Sequence, residues 1–415
     1  MTRLFVIVFV SVSVLSCRAE YEVFSPIFKC APRLSSPYGV CSHINSKGVK
    51  YDYDTRKQEL ALIDSVGIEW VRTDFYWWQL QRGRVGTYNY QLYDSMMTSV
   101  RDGQKKLLGI LVPPQNKKEY GEWGKYLDNV VARYRSHVHC WELINEADLR
   151  SKNPIWSWFT AKDYVDLLKQ GHDIIKKKQH QSKILFSGIG NIDSGFLDSV
   201  FSANVGGYFD IMNVHRYSPR SNEPETFIKY YERLGAKMEK YKLRKPVWLT
   251  ECGCPTAQGW STEQTQAERL PRIFLVSFAL GVEKVFWYNF RSNELAPNDK
   301  ECHFGVCHKD YTPKPAFYAY KNLVRMCPDK STRPLLSRYG NVYLTQWKRP
   351  DGKRVFSVWT SKGQERVVLS VKGEYSCYDL FGHPMKKAMA DNAIEVSSSI
   401  IYIVGNKDLK LEIYD

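Results

Sequence analysis

Two glutamates, Glu146 and Glu251, each stand where an apolar, strand-like stretch of the sequence ends. The first follows V-H-C-W-E-L-I-N, residues 138–145, whose alternation is typical of a β-strand with one buried face. The second follows P-V-W-L-T, residues 246–250. A pair of carboxylates can divide acid and base chemistry between them when one is held protonated and the other ionised. Cleavage of a glycosidic bond requires such a pair, with one carboxyl group on each side of the sugar linkage.

Both stretches belong to a longer alternation of short strands with amphipathic helices. The strand candidates are 38–44, 68–73, 107–112, 138–145, 183–188, 210–216, 246–250 and 284–289. Helical periods separate them, as in W-G-K-Y-L-D-N-V-V-A-R-Y-R. This alternation favours parallel pairing through right-handed crossovers, and eight strands can close a barrel. We therefore predict an α/β fold with a (β/α)8 TIM barrel. A doubly wound open sheet is the alternative, but no G-x-G-x-x-G follows the first strand.

Polar side chains at the carboxyl ends of barrel strands face the ligand, whereas those at the other end serve stability. Further polar or aromatic candidates at these ends are His43, Arg72, Asn145, His215, Tyr217 and Trp287. If the barrel forms, these side chains surround Glu146 and Glu251 at one mouth. The sequence has no repeated metal-ligand spacing and no nucleophile elbow. We expect neither a metal nor another cofactor.

The motifs around the two glutamates resemble those of the clan A glycoside hydrolases. W-E-L-I-N-E, ending at Glu146, is similar to the W-E-x-x-N-E of strand four in that clan, and V-W-L-T-E-C-G around Glu251 is similar to its strand-seven segment. The likeness continues through G-I-E-W-V-R-T-D-F-Y-W-W-Q-L-Q, N-V-H-R-Y and F-G-V-C-H-K-D-Y-T-P-K-P-A-F-Y-A-Y-K-N-L. The closest resemblance is to family 39 and its relatives, which include xylosidases, iduronidases and bacterial exopolysaccharide hydrolases. One departure is Ala147, which stands where the clan usually has proline.

The resemblance implies a division of roles at the barrel mouth. Clan members retain the anomeric configuration and place the acid/base after strand four and the nucleophile after strand seven. Glu146 would then be the acid/base, Glu251 the nucleophile, and Asn145 a ligand of the sugar 2-hydroxyl. We accordingly expect a glycosidase that hydrolyses O-glycosyl compounds by double displacement.

The neighbouring candidates have alternative interpretations. Arg72 could lower the pKa of Glu251 through its charge, or form only a salt bridge at the mouth. Tyr217 would donate a hydrogen bond to Glu251. His215 is expected to contact the substrate or the acid/base, with a simple core hydrogen bond as the alternative.

Aromatic residues and residues farther from the two glutamates are also candidates. Trp287 is a candidate platform for a sugar ring, and the alternative is a tryptophan that only seals the core. His43 is a further binding candidate. Glu142 points to the opposite face of its strand from Trp141 and is expected to be structural.

After residue 328 the pattern changes to short alternating stretches separated by turns, as in V-Y-L-T-Q-W and R-V-F-S-V-W-T. Asp351-Gly352 between these two stretches is a hairpin signal. We predict a small C-terminal all-β sandwich packed on the barrel. The predicted organisation is a signal peptide at 1–19, an N-terminal strand segment at 20–36, the catalytic barrel at 37–328 and the sandwich at 329–415.

The first residues have the features of a secretory signal peptide: an early arginine, an apolar run and a small-x-small site at Cys17-Arg18-Ala19. A lipid anchor on Cys17 is the alternative. Export implies an oxidising compartment, in which Cys302 and Cys307 are the expected disulfide partners. No later stretch reaches the length of a membrane span. We expect a secreted or otherwise extracytoplasmic protein that is not held at a membrane after cleavage.

The chain carries 59 Lys and Arg residues against 44 Asp and Glu residues, a formal net charge of +15. Scattered lysines are typical of solvated helix faces. The more specific interpretation of the positive charge is that it attracts an anionic polysaccharide substrate. Nucleic acid is not an expected partner, because no nucleic-acid-binding motif is present in an exported chain. Two other functions remain open: a carbohydrate-binding barrel without hydrolysis, and a transglycosidase that uses the same carboxylate pair.

Overall fold

The computed structural model of the chain describes residues 21–29, 35–45, 53–81, 86–217, 223–386 and 393–414. The predicted signal peptide at 1–19, including Cys17, lies outside these residues. Across the described ranges, no helix combines the length and the apolar character that crossing a membrane would need.

The central element of the fold is a barrel of parallel strands. A short strand, β1 (Tyr21–Phe24), precedes it, and the barrel strands are β2 (Tyr38–Cys41), β3 (Trp70–Phe75), β4 (Lys106–Leu111), β5 (Val138–Leu143), β6 (Lys183–Leu185), β7 (Met212–His215), β8 (Val247–Cys252) and β9 (Lys284–Trp287). Their order is β6-β5-β4-β3-β2-β9-β8-β7. Parallel bridges between Leu185 and Ile211 and between Ile189 and Val214 join the two outer strands. The predicted (β/α)8 barrel is confirmed.

Helices cover the outside of the barrel, as their amphipathic patterns predict. The α-helices are α1 (Tyr53–Val66), α2 (Trp77–Leu80), α3 (Gln91–Asp102), α4 (Tyr120–Tyr134), α5 (Ala161–Lys178), α6 (Gly195–Ser202), α7 (Phe227–Lys240), α8 (Glu263–Ala279) and α9 (Pro315–Met326). Short 3-10 helices lie at Lys117–Glu119, Ala147–Lys152, Pro154–Trp156, Val205–Gly207, Pro224–Thr226 and Lys300–Cys302. Polar caps set some of the boundaries: Thr160 and Asp163 form a reciprocal capping box that begins α5 before its apolar period.

The interior of the barrel is layered along its axis. An apolar cluster forms the floor and consists of Cys41, Trp70, Leu108, Cys140, Leu185, Ile211, Trp248 and Phe286. Toward the carboxyl ends of the strands, the inward positions become polar. Arg72 on β3, Glu142 on β5 and Thr250 on β8 each lie two residues after a member of that cluster, so they point to the same face of their strands. The packed floor therefore supports a polar layer beneath the barrel mouth.

The C-terminal strands form two antiparallel sheets. They are β10 (Leu335–Tyr339), β11 (Val342–Lys348), β12 (Arg354–Thr360), β13 (Glu365–Lys372), β14 (Tyr375–Tyr378), β15 (Pro384–Met385), β16 (Ala393–Val396), β17 (Ile401–Gly405) and β18 (Lys410–Tyr414). One sheet has the order β1-β10-β11-β12-β17-β14-β15 and the other β16-β13-β18. Val342, Phe356 and Ile403 of the first sheet share an apolar core with Val367 and Val396 of the second. The predicted sandwich is confirmed, and β1 joins it by antiparallel pairing with β10.

The sandwich packs directly on the barrel through buried tryptophans. Trp359 Nε1 donates a hydrogen bond to Glu225 Oε1 at 2.6 Å, and Arg272 in α8 donates to both oxygens of the same carboxylate. Trp347 Nε1 donates to the carbonyl of Met326 at the end of α9, at 2.9 Å. These indole N–H groups keep hydrogen-bond partners while the rings are buried, so they fix how the sandwich sits against the helices.

The predicted disulfide between Cys302 and Cys307 is not formed, and both thiols are buried and unpaired. Cys302 lies in a 3-10 helix, with Sγ 3.8 Å from Asp299 Oδ2. Cys307 instead forms backbone bridges with Arg291 and Pro313. Closeness in sequence was the only basis for the prediction, and it does not by itself bring two Cβ atoms into the geometry of a disulfide.

Candidate active site

A cavity of about 790 Å³ opens at the carboxyl ends of the barrel strands. Seven of the predicted site residues line it: His43, Arg72, Asn145, Glu146, His215, Tyr217 and Glu251. They come from β2, β3, β5, β7 and β8 or from the residues that follow these strands. The barrel therefore brings together residues that are up to about two hundred positions apart in the chain.

Trp287 is the exception, and its prediction as a sugar platform is wrong. The side chain is fully buried in the main core, and its Nε1 donates to the carbonyl of Phe304 at 3.3 Å. The next residue, Tyr288, lines the cavity instead. Successive side chains of a strand point to opposite faces, so an error of one position moves an aromatic ring from the cavity to the core.

The end of β5 presents two adjacent side chains, Asn145 and Glu146, to the cavity. Regular strand alternation would send one of them outward. Instead, Ile144 and Glu146 adopt left-handed backbone conformations with φ of 71° and 47°. A β-branched residue rarely adopts this conformation, and Ile144 is held there with its side chain fully buried. The surrounding core thus maintains a strained turn that aims both functional groups inward.

Ala147 stabilises the same turn through its backbone. Its N–H donates to Ser187 Oγ at 2.8 Å. Proline has no N–H and could not form this bond. The alanine therefore ties the turn at Glu146 to the segment after β6, and the departure from the clan motif leaves the glutamate facing the cavity.

A β-bulge in β8, rather than a left-handed turn, directs Glu251 into the cavity. The register of β8 shifts against both β7 and β9 near Thr250. As a result, two consecutive side chains face inward: Thr250 Oγ1 is 3.1 Å from His215 Nε2, and Glu251 Oε1 is 2.6 Å from Arg72 Nη1. Bulges of this kind commonly re-aim a side chain next to a functional site.

Arg72 is the centre of a buried ion network. It donates to both oxygens of Glu142 at 2.7 and 2.8 Å, to Glu251 Oε1 at 2.6 Å and to Asn145 Oδ1 at 2.7 Å. Burial opposes the charge of the guanidinium, but Glu142 and Glu251 raise the pKa of Arg72 well above its ordinary value. Arg72 therefore stays charged and holds Glu251 and Asn145 in a fixed relation. Glu142, fully buried, completes the bidentate pair that orients it.

The environment of Glu251 favours its ionised form. Burial would raise the pKa of this carboxyl, but the charges of His215 and Arg72 and the hydroxyl of Tyr217 outweigh burial and hold the pKa below its ordinary value. The Tyr217 hydroxyl donates to Glu251 Oε2 at 2.5 Å. Burial raises the pKa of Tyr217 well above its ordinary value, so the phenol keeps its proton. An ionised carboxylate is the state that a nucleophile needs.

His215 stands between the two carboxylates. Its Nδ1 is 3.1 Å from Glu146 Oε1 and 3.4 Å from Glu251 Oε2. Because the Thr250 hydroxyl donates to Asn213 Oδ1 at 2.6 Å, it accepts the hydrogen bond from His215 Nε2. Burial opposes protonation, but the two glutamates outweigh it and raise the pKa of His215. His215 therefore contacts the Glu146 carboxylate directly through Nδ1.

His43 lies at the rim rather than beside the glutamates. Its side chain is 42% exposed, its Nδ1 is 4.0 Å from Asp74 Oδ2, and its Nε2 is 3.4 Å from the Tyr288 hydroxyl. Burial raises the pKa of Asp74 above its ordinary value. His43 is thus placed to contact a ligand in the outer part of the cavity.

The cavity walls also contain residues that were not among the predicted site residues. They include Tyr76, Arg150, Trp156, Arg216, Trp260, Tyr288, Lys300, Glu301 and Phe304. Several are aromatic, and flat apolar rings can pack against the faces of a sugar. Some signals were present in the sequence, since Arg216 separates His215 from Tyr217 and Tyr288 follows Trp287. Most lie in loops after the strands, where no periodic pattern identifies a cavity residue.

Glu146, His215 and Glu251 offer donor atoms that all lie within 4.8 Å of one another, a spacing that could hold a metal ion. Both oxygens of Glu251, however, already accept hydrogen bonds, from Arg72 and Tyr217. A cation at this position would face the positive charge of Arg72 at short range. The residues present therefore suit a carboxylate pair better than a metal site.

We predict that chelators leave the enzymatic activity unchanged. Dialysis against EDTA, followed by assay with and without added divalent cations, should give rates that agree within about twofold, because no step would depend on a metal. Loss of activity on dialysis with recovery on adding one cation would instead assign a metal to the three donors.

Tyr217→Phe is expected to lower kcat/KM about tenfold, because hydrogen bonds to charged groups contribute roughly 1.5–3 kcal/mol. Tyr217 helps to depress the pKa of Glu251, so its loss should raise that pKa and move the acidic limb of the kcat/KM profile to higher pH. Tyr318→Phe, at an exposed position, is the matched control. A lower rate with an unmoved acidic limb would show that Tyr217 does not act through Glu251.

Comparison with known proteins links this site to carbohydrate chemistry. The model of a family described as glycosyl hydrolase catalytic core matches residues 73–302. A family 39 glycoside hydrolase from Bacteroides cellulosilyticus has a TM-score of 0.72 and 20% identity, over 92% of this chain and 81% of that one. A glucosidase from Croceicoccus marinus (TM-score 0.65, 13% identity, coverage 93% and 98%) and a monomeric beta-xylosidase from Caulobacter crescentus (0.63, 13%, 94% and 98%) have the same fold. No curated protein sequence matches the chain.

Proposed function

Because the chain belongs to the glycosyl hydrolase catalytic core family and is a glycosidase, we propose that it is a retaining enzyme that works by double displacement. The observation that carries this proposal is the short separation of the two carboxylates, whose nearest oxygens lie within 4.8 Å of each other. Retaining glycosidases have carboxyl groups roughly 5–5.5 Å apart, whereas inverting ones leave roughly 6.5–9.5 Å for a water molecule. The distance between the nearest oxygens of Glu146 and Glu251 supports the shorter, retaining separation.

In the first step, Glu251 attacks the anomeric carbon of a carbohydrate substrate. A bond forms between that carbon and a Glu251 oxygen, and the bond to the leaving oxygen breaks with its electron pair. Glu146 gives its proton to the leaving oxygen. Arg72 and Tyr217 support this step because they keep Glu251 ionised and fix its orientation. Asn145, held by Arg72 at 2.7 Å, is placed to bind the sugar 2-hydroxyl.

In the second step, the deprotonated Glu146 removes a proton from water, and the water oxygen attacks the anomeric carbon. The bond to Glu251 breaks, and its carboxylate is restored. His215 supports the change of role at Glu146, because its Nδ1 is 3.1 Å from Oε1 and can stabilise the carboxylate that the first step produces. Two displacements at one carbon return the original anomeric configuration.

We also propose a substrate class and a cellular location for the enzyme. The net charge of +15 supports an anionic substrate such as a uronic-acid-containing glycan. The leader-like residues 1–19 support secretion.

The test is a comparison on a panel of neutral and uronic-acid-containing glycans, with released sugars identified by mass. Wild type should cleave at least one glycan, and Glu146→Ala and Glu251→Ala should not. Glu22→Gln, in β1 of the sandwich, is a control that should cleave like wild type. Binding without cleavage by wild type would indicate a carbohydrate-binding barrel, and products longer than the substrate would indicate a transglycosidase. Cleavage unchanged in either alanine variant would overturn the assignment.

A further inference from the structure

Most charged side chains of the cavity are paired. Arg72 is neutralised by Glu142 and Glu251, and Lys300 Nζ is 3.5 Å from Glu301 Oε1. These groups therefore balance one another and leave little attraction for a charged ligand.

Arg150, by contrast, has no carboxylate partner among the residues that the structure describes. It lies in the 3-10 helix that follows Glu146, and its Nε donates to the carbonyl of Asn145 at 2.9 Å. Its guanidinium lies 4.6 Å from the ring centre of Trp156, and both residues line the cavity. The backbone bond and the aromatic face hold the cation in place, so it needs little further ordering when it binds an anion.

Arg216 repeats this arrangement after β7. Its guanidinium lies 5.2 Å from the ring centre of Tyr230, and it too lines the cavity. Its Nε is buried without a hydrogen-bond partner, and no carboxylate in the described part of the chain pairs with it. Arg216 is only partly buried, so its guanidinium is accessible from the cavity, and a buried N–H without a partner is costly unless a ligand supplies an acceptor. Two ordered cations that form no salt bridge with a described carboxylate therefore lie in the wall of one cavity, although the charges of Asp74 and Glu146 act on Arg150 from a longer distance.

Both arginines lie close to the two glutamates. Arg150 binds the carbonyl of Asn145, the residue before Glu146. Arg216 follows His215, which contacts the Glu146 carboxylate, and its backbone N–H donates to the carbonyl of Glu251 at 3.0 Å. Glu146 must itself be protonated, and hence uncharged, when it acts as an acid. With Glu146 protonated, Arg150 and Arg216 add positive charge to the cavity wall that no salt bridge neutralises.

We propose that Arg150 and Arg216 bind an anionic substituent of the sugar held beside Glu146, a carboxylate or a sulfate. This inference rests on the proposed glycosidase function. Planar guanidinium groups pair with such oxyanions through two parallel hydrogen bonds, which makes arginine the residue suited to this recognition. The substrate class is thus an acidic glycan, and the two arginines determine the preference for it over a neutral glycan.

The test measures binding in the Glu251→Gln background, which prevents turnover. The probes are an oligosaccharide of alternating glucuronic acid and N-acetylhexosamine, its carboxyl-reduced neutral form, and a sulfated version of that reduced form. One anionic probe should bind at least about tenfold more tightly than the neutral form, since hydrogen bonds to charged groups have this strength. Which anionic probe does so identifies the carboxylate or the sulfate as the ligand.

Arg150→Gln and Arg216→Gln should each lower the ratio of anionic to neutral affinity about tenfold. The affinity for the neutral probe should change less than about twofold. Arg150→Lys, which keeps the charge but loses the planar fork, should recover only part of the preference for the anion. Arg101→Gln, at an exposed position at the end of α3, is the matched control and should have no effect. A lack of preference in the parent protein, including no binding of any probe, would overturn the proposal, as would equal weakening of all probes.

Failure of this inference is distinguishable from failure of the glycosidase mechanism. If wild type hydrolyses neutral glycosides, Glu251→Gln does not, and no anionic preference exists, only the role of the two arginines is rejected. If Glu251→Gln hydrolyses glycosides as fast as wild type, the proposed mechanism is rejected regardless of the binding results.

Discussion

Glu251→Ala is expected to reduce kcat on the order of 10⁵-fold, since loss of a covalent nucleophile has effects of about this size. Glu251 is buried, and hydrogen bonds from Arg72 and Tyr217 hold its carboxylate in place and favour its ionised form. The measurement is the rate of release of a chromogenic leaving group, with correct folding checked by circular dichroism. Glu22→Gln, at the sandwich surface, should retain the wild-type rate.

Azide should restore activity to Glu251→Ala. In the cavity left by the missing carboxylate, azide can attack the anomeric carbon in a single displacement, and the product is a glycosyl azide of the opposite anomeric configuration. Recovery of activity with that product would assign the nucleophile to Glu251. A rate in Glu251→Ala within about tenfold of wild type would contradict the assignment, because a nucleophile cannot contribute so little.

Glu146→Ala is expected to reduce hydrolysis of substrates with poor leaving groups about 10²–10⁴-fold, the usual contribution of general acid–base catalysis. Dinitrophenolate leaves without being protonated. The first step on a dinitrophenyl glycoside should therefore slow far less than the first step on substrates with poor leaving groups. The second step still requires a base, and the glycosyl-enzyme should accumulate. Mass spectrometry of the intact protein should show the added sugar, and stopped-flow assay should show a burst of dinitrophenolate.

The leaving-group dependence separates this role from a structural one. A misfolded or weakened site would slow activated and unactivated substrates to a similar degree. Equal losses on both, with no burst and no added mass, would therefore contradict the assignment of Glu146 as the acid/base. Azide rescue of this variant should give a glycosyl azide of retained configuration, because azide then replaces water in the second displacement.

The barrel and the carboxylate pair were predictable from sequence for a physical reason. Eight parallel strands that alternate with amphipathic helices favour closure into a barrel, which brings the carboxyl ends of all strands to one mouth. Polar residues at those ends, such as Arg72 and His215, are therefore identified as site residues before any coordinates are known. The same reasoning separated the all-β C-terminal region, whose short alternating stretches cannot form crossover units.

The remaining features depend on local geometry that the pattern does not encode. The inward turn at Ile144 and the bulge at Thr250 place consecutive side chains on one face, against the alternation on which the predictions relied. Trp287 was predicted to line the cavity, but Tyr288 does so. The prediction was wrong by one residue at a strand end. Arg150 could not be found, because its contact with Trp156 depends on the path of a loop.

The most direct test of the central claim is the anomeric configuration of the first product. Proton NMR spectra recorded during the first minutes of hydrolysis, before mutarotation, distinguish the two anomers of the released sugar. The short distance between the oxygens of Glu146 and Glu251 predicts that the substrate's configuration is retained. A first product of inverted configuration would contradict double displacement through Glu251 and would indicate direct attack by water.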